Sequence, residues 1–310
     1  MMEVSSPLLP FAYFNDEIVL REKAVISIAS HSLQYGTMCF GGIRGYVQDN
    51  QARIVRIFDH HERLMNSAKI LGFNYEISFE NFQKIIGELI AKNAPASDFY
   101  IRPFIFSNDE AIGPCMDGRR YQLAVYLLPL SKYFKREGGL RMMISSHPKF
   151  SDWSLSTKAK ASGCYLNSAL ASSEARRCGF DEALMMNEQG QVVEASVANL
   201  FAVYRGQVTT PPLGTGPLEG ITLRTVMDLL KSDGVSVSFG ILDRSMVLTS
   251  DELFLTGSAA EVTYIESVNG RSIGRNGSMG PICKRAHDLF HQMLDMKHQR
   301  SAEWMSTFRY

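Results

Sequence analysis

Short apolar runs broken by polar pairs mark the first part of the chain. Two such runs flank Asn15-Asp16 within residues 11–20, which predicts a hairpin. A second hairpin is predicted over 42–58, with strands at 43–47 and 54–58 around a polar turn at 48–51. The period then changes. Leu64, Ala68 and Leu71 recur at helical spacing from a start at Asp59, which can cap the helix with Glu62, and Gly72 can stop it. Ser78 opens a second helix with Phe82, Ile85, Ile86 and Leu89 on one face. Residues 99–106 and 122–130 read as strands. In the first of these a period of two puts Tyr100, Arg102, Phe104 and Phe106 on one face, and Pro103 points to an edge or a bulge.

Residues 131–139 are polar and end in Gly138-Gly139, so they read as a linker. Beyond it, strands are predicted at 140–147, 182–187 and from 191 onward, followed by a hairpin at 199–210 around Arg205-Gly206 and strands at 252–255 and 261–268. Helices are predicted at 165–178, at 220–230 and at 281–296. This order predicts two α+β halves with mixed sheets: a first domain over 1–130, the linker, and a second domain over 140–310.

Composition narrows the function. Lysine plus arginine equals aspartate plus glutamate, 32 each, so net charge draws the chain to neither nucleic acid nor an anionic membrane. Five scattered cysteines without a Cys-x-x-Cys spacing predict neither a disulfide framework nor a zinc site. His31, His60, His61 and His147 are dispersed as well, and no metal is expected. The start, Met1-Met2-Glu3-Val4-Ser5-Ser6-Pro7, has no basic segment followed by a long apolar one. No stretch reaches membrane-span length. A cytoplasmic protein is expected.

Three constellations could carry chemistry. Lys158 and Lys160 lie among small residues that leave room for a bulky partner, and a deprotonated lysine is a nucleophile toward carbonyls. Either could equally be a solvated loop charge, and spacing alone does not choose between them. Glu194, set among small and apolar neighbours, is placed to be buried and would then need a partner such as a protonated pyridine. Its plain alternative is a surface strand acid. Leu218-Glu219-Gly220-Ile221-Thr222 leads into a helix whose N-terminus favours an anion, and Thr256-Gly257-Ser258-Ala259-Ala260 is a second small-residue turn. Arg63 could supply counter-charge, and Arg102 between aromatics could present a fork to a carboxylate.

Taken in order, these pieces resemble the class IV, fold-type IV pyridoxal-phosphate-dependent aminotransferases, and most of all the branched-chain amino acid aminotransferases. The resemblance rests on Ala12-Tyr13-Phe14-Asn15-Asp16, Ser30-His31-Ser32-Leu33-Gln34-Tyr35-Gly36, Phe40-Gly41-Gly42-Ile43-Arg44 and His60-His61-Glu62-Arg63. It continues through Tyr100-Ile101-Arg102-Pro103, Lys160-Ala161-Ser162-Gly163-Cys164-Tyr165, Glu194-Ala195-Ser196, Gly220-Ile221-Thr222 and Thr256-Gly257-Ser258-Ala259-Ala260-Glu261. It implies a two-domain fold like that of D-amino acid aminotransferase, with a small α/β domain and a larger domain holding a mixed, barrel-like sheet.

The resemblance selects Lys160 over Lys158 as the lysine that holds pyridoxal 5'-phosphate. It implies that Tyr165 meets the cofactor's phenolic oxygen, that Glu194 meets the pyridine nitrogen, and that Arg63, Ile221, Thr222 and Ser258 cradle the phosphate. Tyr35, Phe40, Tyr100, Arg102, Tyr133, Ser258 and Ala259 fall at substrate positions. The implied reaction moves an amino group between L-leucine, L-isoleucine or L-valine and 2-oxoglutarate by ping-pong kinetics, in a homodimer or larger homo-oligomer. D-amino acid and (R)-amine transaminases and aminodeoxychorismate lyase share this frame and are its rivals. The chain departs from the family pattern at Gly41, Ser162 and Cys164, and Leu130 falls near a common tryptophan position. These departures bear on substrate range.

Overall fold

The computed structural model describes residues 8–310; the 1–7 segment read for a secretory signal lies outside the described residues. The chain forms two compact units. The first holds the described residues up to Tyr133, together with Ala159–Gly163 and Gln299–Tyr310, and the second holds Phe134–Lys158 and Cys164–His298.

In the first unit, β1 (Phe11–Phe14) and β2 (Glu17–Leu20) form the expected hairpin. Asn15 and Asp16 both take positive φ, at 51° and 62°, as the tight turn requires. Next come α1 (His31–Tyr35), β3 (Cys39–Phe40), β4 (Ile43–Gln48), β5 (Gln51–Val55), α2 (Ile57–Ile70), α3 (Phe79–Asn93), β6 (Phe99–Phe106) and β7 (Gln122–Pro129). The sheet order β5-β4-β6-β7-β1-β2, with β3 also on β6, is antiparallel throughout. Its core face carries Ile43, Ile54, Phe99, Ile101 and Leu123 against Leu64 of α2 and Phe82, Ile86 and Leu89 of α3.

Two local expectations change. The strand expected to run to residue 58 ends at Val55, and α2 begins at Ile57. Arg56, left-handed at φ 47°, turns the chain there, and Asp59 pairs with Arg56 at 3.6 Å instead of capping the helix. Ser78 does cap α3, its side chain accepting from the Asn81 amide. Pro103 lies neither on an edge nor in a bulge. β6 pairs along its length with β7, while its other side meets β4 at residues 99–101 and β3 at 104–105. Pro103, which has no N–H, falls in the gap between those two partners, and its carbonyl accepts from Gly41 N–H at 2.7 Å.

The second unit comprises β8 (Leu140–Ile144), α4 (Tyr165–Arg177), β9 (Glu182–Met186), β10 (Val192–Ala195), β11 (Asn199–Tyr204) and β12 (Gln207–Thr210). It continues with α5 (Ile221–Ser232), β13 (Val237–Phe239), α6 (Arg244–Thr249), β14 (Glu252–Gly257), β15 (Glu261–Val268), β16 (Arg271–Ser272) and α7 (Pro281–Leu294). Its sheet, β10-β9-β8-β15-β14-β11-β12-β13, is mixed: β8 runs parallel to β9 and β15, and β12 parallel to β13. Leu140, Met142, Leu184, Leu200, Leu255 and Ile265 form its core.

The chain then returns to the first unit as α8 (Ser301–Trp304) and β17 (Met305–Arg309), and β17 adds antiparallel to β5. The expected division at 1–130, 131–139 and 140–310 is contiguous in sequence, whereas the compact units are not. The reason is hydrogen bonding. β17 extends the first sheet, and residues 160–163 bond to residues 36–40. No helix among the described residues is long and apolar enough to cross a membrane.

Candidate active site

Lys160 is fixed through its main chain. Its N–H donates to Ser67 Oγ at 3.0 Å and its carbonyl accepts from Phe40 N–H at 3.0 Å. Ser67 in turn donates to the Arg63 carbonyl at 2.7 Å, so one turn of α2 joins Arg63 to the lysine's backbone. Ser162 and Gly163 bond back to Met38 and Gly36, and Ala161 bridges Cys39, which makes this segment a short extension beside β3. Lys160 Nζ lies 5.0 Å from the Phe40 ring centre. Lys158, the alternative in sequence, is exposed.

The period of two in β6 separates its faces. Phe99, Ile101 and Ile105 enter the core, while Tyr100, Arg102 and Phe104 occupy the other face, half-buried. Arg102 Cζ lies 4.6 Å from the Phe40 ring and 5.3 Å from the Tyr100 ring. Phe40 thus carries both the amine and the guanidinium against its ring. Arg102 Nε is buried and makes no hydrogen bond among the described residues. Two glycines give these rings room. A Cβ on Gly42 would meet the Tyr100 hydroxyl at 1.8 Å, and one on Gly41 would meet Pro103 Cγ at 2.7 Å, which accounts physically for Gly41. Tyr35 is engaged elsewhere: its hydroxyl accepts from Gly113 N–H at 2.9 Å. Tyr133 is 40 % exposed at the end of this unit's main segment.

In the second unit, Glu194 is buried as its setting among small and apolar residues suggests. It follows a register shift in β10 between Val192 and Glu194, a bulge that redirects the side chain. One carboxylate oxygen meets Lys149 Nζ at 2.6 Å. The other accepts from Leu218 N–H at 3.1 Å and from the Asn199 amide at 3.5 Å. Behind it, buried Glu182 accepts from the Ser196 hydroxyl at 2.7 Å and pins the turn that follows Glu194. Burial raises the Glu182 pKa above the ordinary carboxylate value.

Asn199 also donates to the Leu218 carbonyl at 2.8 Å, and a Cβ on Gly220 would meet its Oδ1 at 1.9 Å. The acid and the start of α5 are therefore packed around one asparagine. Gly220 caps α5 without a side-chain hydrogen bond, which leaves the first amides, those of Ile221 and Thr222, oriented for an anion. Ser258 and Ala259 lie in the turn between β14 and β15. Beside that turn, Thr256 Oγ1 is buried and makes no hydrogen bond among the described residues, as befits a donor awaiting a polar ligand. Tyr165 opens α4. A buried carboxylate to accept from the ring nitrogen, with an uncapped helix start and an orphaned hydroxyl to donate to an anion, are what a phosphorylated pyridine requires, and they fit it. Lys149, Ser67 and Asn199 are residues the sequence did not single out, and Thr256 entered only as part of the small-residue turn at 256–260.

The chemistry is therefore an amine beside a cation-bearing aromatic strand face in one unit, and an acid and an anion cradle in the other. A family model described as amino-transferase class IV matches residues 39–268, a span holding every candidate residue except Tyr35. The chain belongs to the class IV aminotransferases. A protein of Aquifex aeolicus described as "Probable branched-chain-amino-acid aminotransferase" is 37% identical over 301 residues, covering 96% of each chain. The crystal structure of the branched-chain aminotransferase of the archaeon Thermoproteus uzoniensis with norvaline matches with a TM-score of 0.92 at 34% identity, covering 97% of this chain and 99% of that one. That of the Thermobaculum terrenum branched-chain amino acid aminotransferase in its PLP form matches at 0.91 and 28% identity, covering 97% and 98%. The fold is the fold-type IV architecture that the sequence resemblance implied, and the enzyme is a pyridoxal-phosphate transaminase of this class.

The expectation of scattered histidines needs one correction: His287 and His291 form a His-x-x-x-His spacing on α7, with their rings 4.3 Å apart. Among the described residues no group of three or more His, Cys, Asp or Glu is arranged to hold a metal ion.

Proposed function

We propose that the enzyme moves the amino group of L-leucine, L-isoleucine or L-valine to 2-oxoglutarate, with pyridoxal phosphate held by Lys160. The observation that carries this is Phe40 packed against both the Lys160 amine and the Arg102 guanidinium, beside Tyr100. Pyridoxal phosphate, when bound, supplies a carbonyl for the amine and an electron sink for the reacting carbon. Released from the carbonyl by the incoming amino group, Lys160 would take the proton from the substrate Cα as general base and return it as general acid to the former carbonyl carbon, two bonds away. Glu194 would hold the proton on the pyridine nitrogen, and Tyr165 would donate to the phenolic oxygen. Arg63, Ile221, Thr222 and Ser258 would hold the phosphate.

Both substrates use the same pocket in turn, which gives ping-pong kinetics. The amides at Ser258 and Ala259 receive the α-carboxylate. Phe40 offers an apolar surface to a branched side chain, while Arg102 with the Tyr100 hydroxyl offers a fork to a γ-carboxylate. Tyr35 and Tyr133 complete the substrate set.

A homodimer or larger homo-oligomer is part of this reading. Val25, Ile28, Leu33 and Ile112 are strongly exposed, and their loops are joined by hydrogen bonds such as Ser27 N–H to Asn108, which supports an apolar interface with a second copy. The five cysteines are unbridged, which supports a cytoplasmic setting.

A donor panel of both enantiomers of leucine, isoleucine, valine, alanine and glutamate with 2-oxoglutarate tests the substrate. The L-branched-chain donors should lead. Turnover confined to D-amino acids or (R)-amines, or no transfer at all, contradicts the reading. Arg102→Ala should lower kcat/KM for glutamate at least tenfold more than for leucine, by roughly the 1.5–3 kcal/mol of a charged hydrogen bond. Equal losses would remove Arg102 from the carboxylate role.

A further inference from the structure

Lys149 belongs to none of the motifs that mark the family resemblance, yet it makes the closest contact of the buried acid. It follows β8 and Pro148, and its main chain is tied to the sheet that carries Glu194: Lys149 N–H donates to the Met186 carbonyl at 2.7 Å, and Met186 pairs with Val192 of β10. Its side chain is 9 % exposed and that of Glu194 7 %, with Nζ and Oε1 2.6 Å apart. The ammonium also lies 4.7 Å from the Phe150 ring. A carboxylate this deeply buried is strongly disfavoured unless it is paired and hydrogen-bonded. Here one oxygen has the ammonium, and the other has the Leu218 amide and Asn199.

We propose that Lys149 is a positioning residue: it keeps Glu194 ionised and aimed, so that the acid offered to the cofactor's ring nitrogen is a charge-paired carboxylate and not a lone buried acid. This rests on the reading of Glu194 as the ring-nitrogen partner. Without Lys149, Glu194 Oε1 loses its closest partner, and the carboxylate is left with only the Leu218 amide and Asn199 on its other oxygen, neither paired by charge nor fixed in aim. Arginine at 149 can keep the pair, because guanidinium is a cation of similar reach with more donors. Methionine cannot, although it fills similar space.

The experiment uses the wild type, Lys149→Met, Lys149→Arg, Glu194→Gln and the double variant Lys149→Met/Glu194→Gln. Denaturant unfolding of the cofactor-free proteins gives the coupling between the two positions. Absorbance titration with pyridoxal phosphate gives the dissociation constant. Lys149→Met should lower the unfolding midpoint clearly when Glu194 is present and much less when residue 194 is Gln. It should weaken pyridoxal phosphate binding about tenfold or more, while Lys149→Arg stays within about threefold of wild type, as loss versus retention of a buried charge pair requires. Equal midpoint losses in both backgrounds, wild-type cofactor affinity in Lys149→Met, or an arginine variant as poor as the methionine one would each overturn the proposal. Failure of wild-type protein to take up pyridoxal phosphate would overturn the functional reading instead, and the cofactor-free cycle tells the two failures apart.

Discussion

In the first unit the amine of Lys160 is held by its backbone, bonded to Ser67 and Phe40, with its long side chain laid on an aromatic ring. In the second unit Glu194 is held the other way, by its side-chain atoms: an ammonium on one oxygen, an amide N–H and an asparagine on the other. The difference matches the roles proposed for the two groups. A residue that makes and breaks a bond and carries a proton needs a fixed root and a movable end. A residue that only stabilises charge needs a fixed end, and each of its oxygens has a partner distant in sequence, Lys149 on one and Leu218 on the other. The same contrast runs through the neighbours. Glycine at 41 and 42 makes room for rings and side chains around the amine, while Gly220 presses the start of α5 against the asparagine that touches the acid.

The contrast can be broken or sharpened by substitution. The largest effect should come from Lys160→Met. Removing a nucleophile that acts as part of a unit lowers kcat by roughly 10⁴-fold or more. The fold should survive, because the Ser67 and Phe40 bonds use the main chain. Circular dichroism matching wild type with turnover lost is the expected result; an unfolded variant would show that the side chain, too, is structural.

Gly220→Ala comes next. Its φ of −78° suits alanine, so the effect is spatial: the new methyl meets Asn199 Oδ1. Displacing that amide should destabilise the protein by about 1–3 kcal/mol and weaken pyridoxal phosphate binding, because the acid and the helix start share it. Denaturation and cofactor titration check both. A silent variant would show that Asn199 does not link the two.

Glu174→Gln is the smallest and lies away from both groups. Hydrogen bonds from the Ser145 and Ser146 hydroxyls to this carboxylate, the Ser145 one foremost, hold its pKa at about 2 against an ordinary 4.5. A folded-state value below the unfolded one stabilises above about pH 4.5, and that contribution is lost as pH falls from there toward 2. The glutamine variant should therefore be less stable than wild type at neutral pH, and the gap should close below pH 4.5. Chemical denaturation across that range reads it; a constant gap would contradict the assignment.

Much of this was legible because it is local. The Asn15-Asp16 and Arg205-Gly206 turns carry their own positive-φ chemistry, Ser78 caps the helix it precedes, and alternation in β6 set Tyr100 and Arg102 on one face. What was not legible depends on long-range pairing. Pro103 is tolerated inside a sheet because two different strands flank it, which no window around residue 103 reveals. The Ser67 hydroxyl reaches the Lys160 amide across 93 residues. β17 gives no local signal of the β5 edge it covers, so the contiguous division could not include it. The chemistry at Glu194 was visible as a buried acid wanting a partner, but Lys149 was not: a lysine beside a proline and a phenylalanine looks like any loop lysine until the fold brings it to the carboxylate.

The central claim is that Lys160 alone bonds the cofactor. Reduction of the reconstituted enzyme with borohydride, followed by peptide mass spectrometry, tests it directly. The account predicts one phosphopyridoxyl label per chain, on Lys160. A label on Lys158 or Lys149, or a protein that takes up no label, would contradict it.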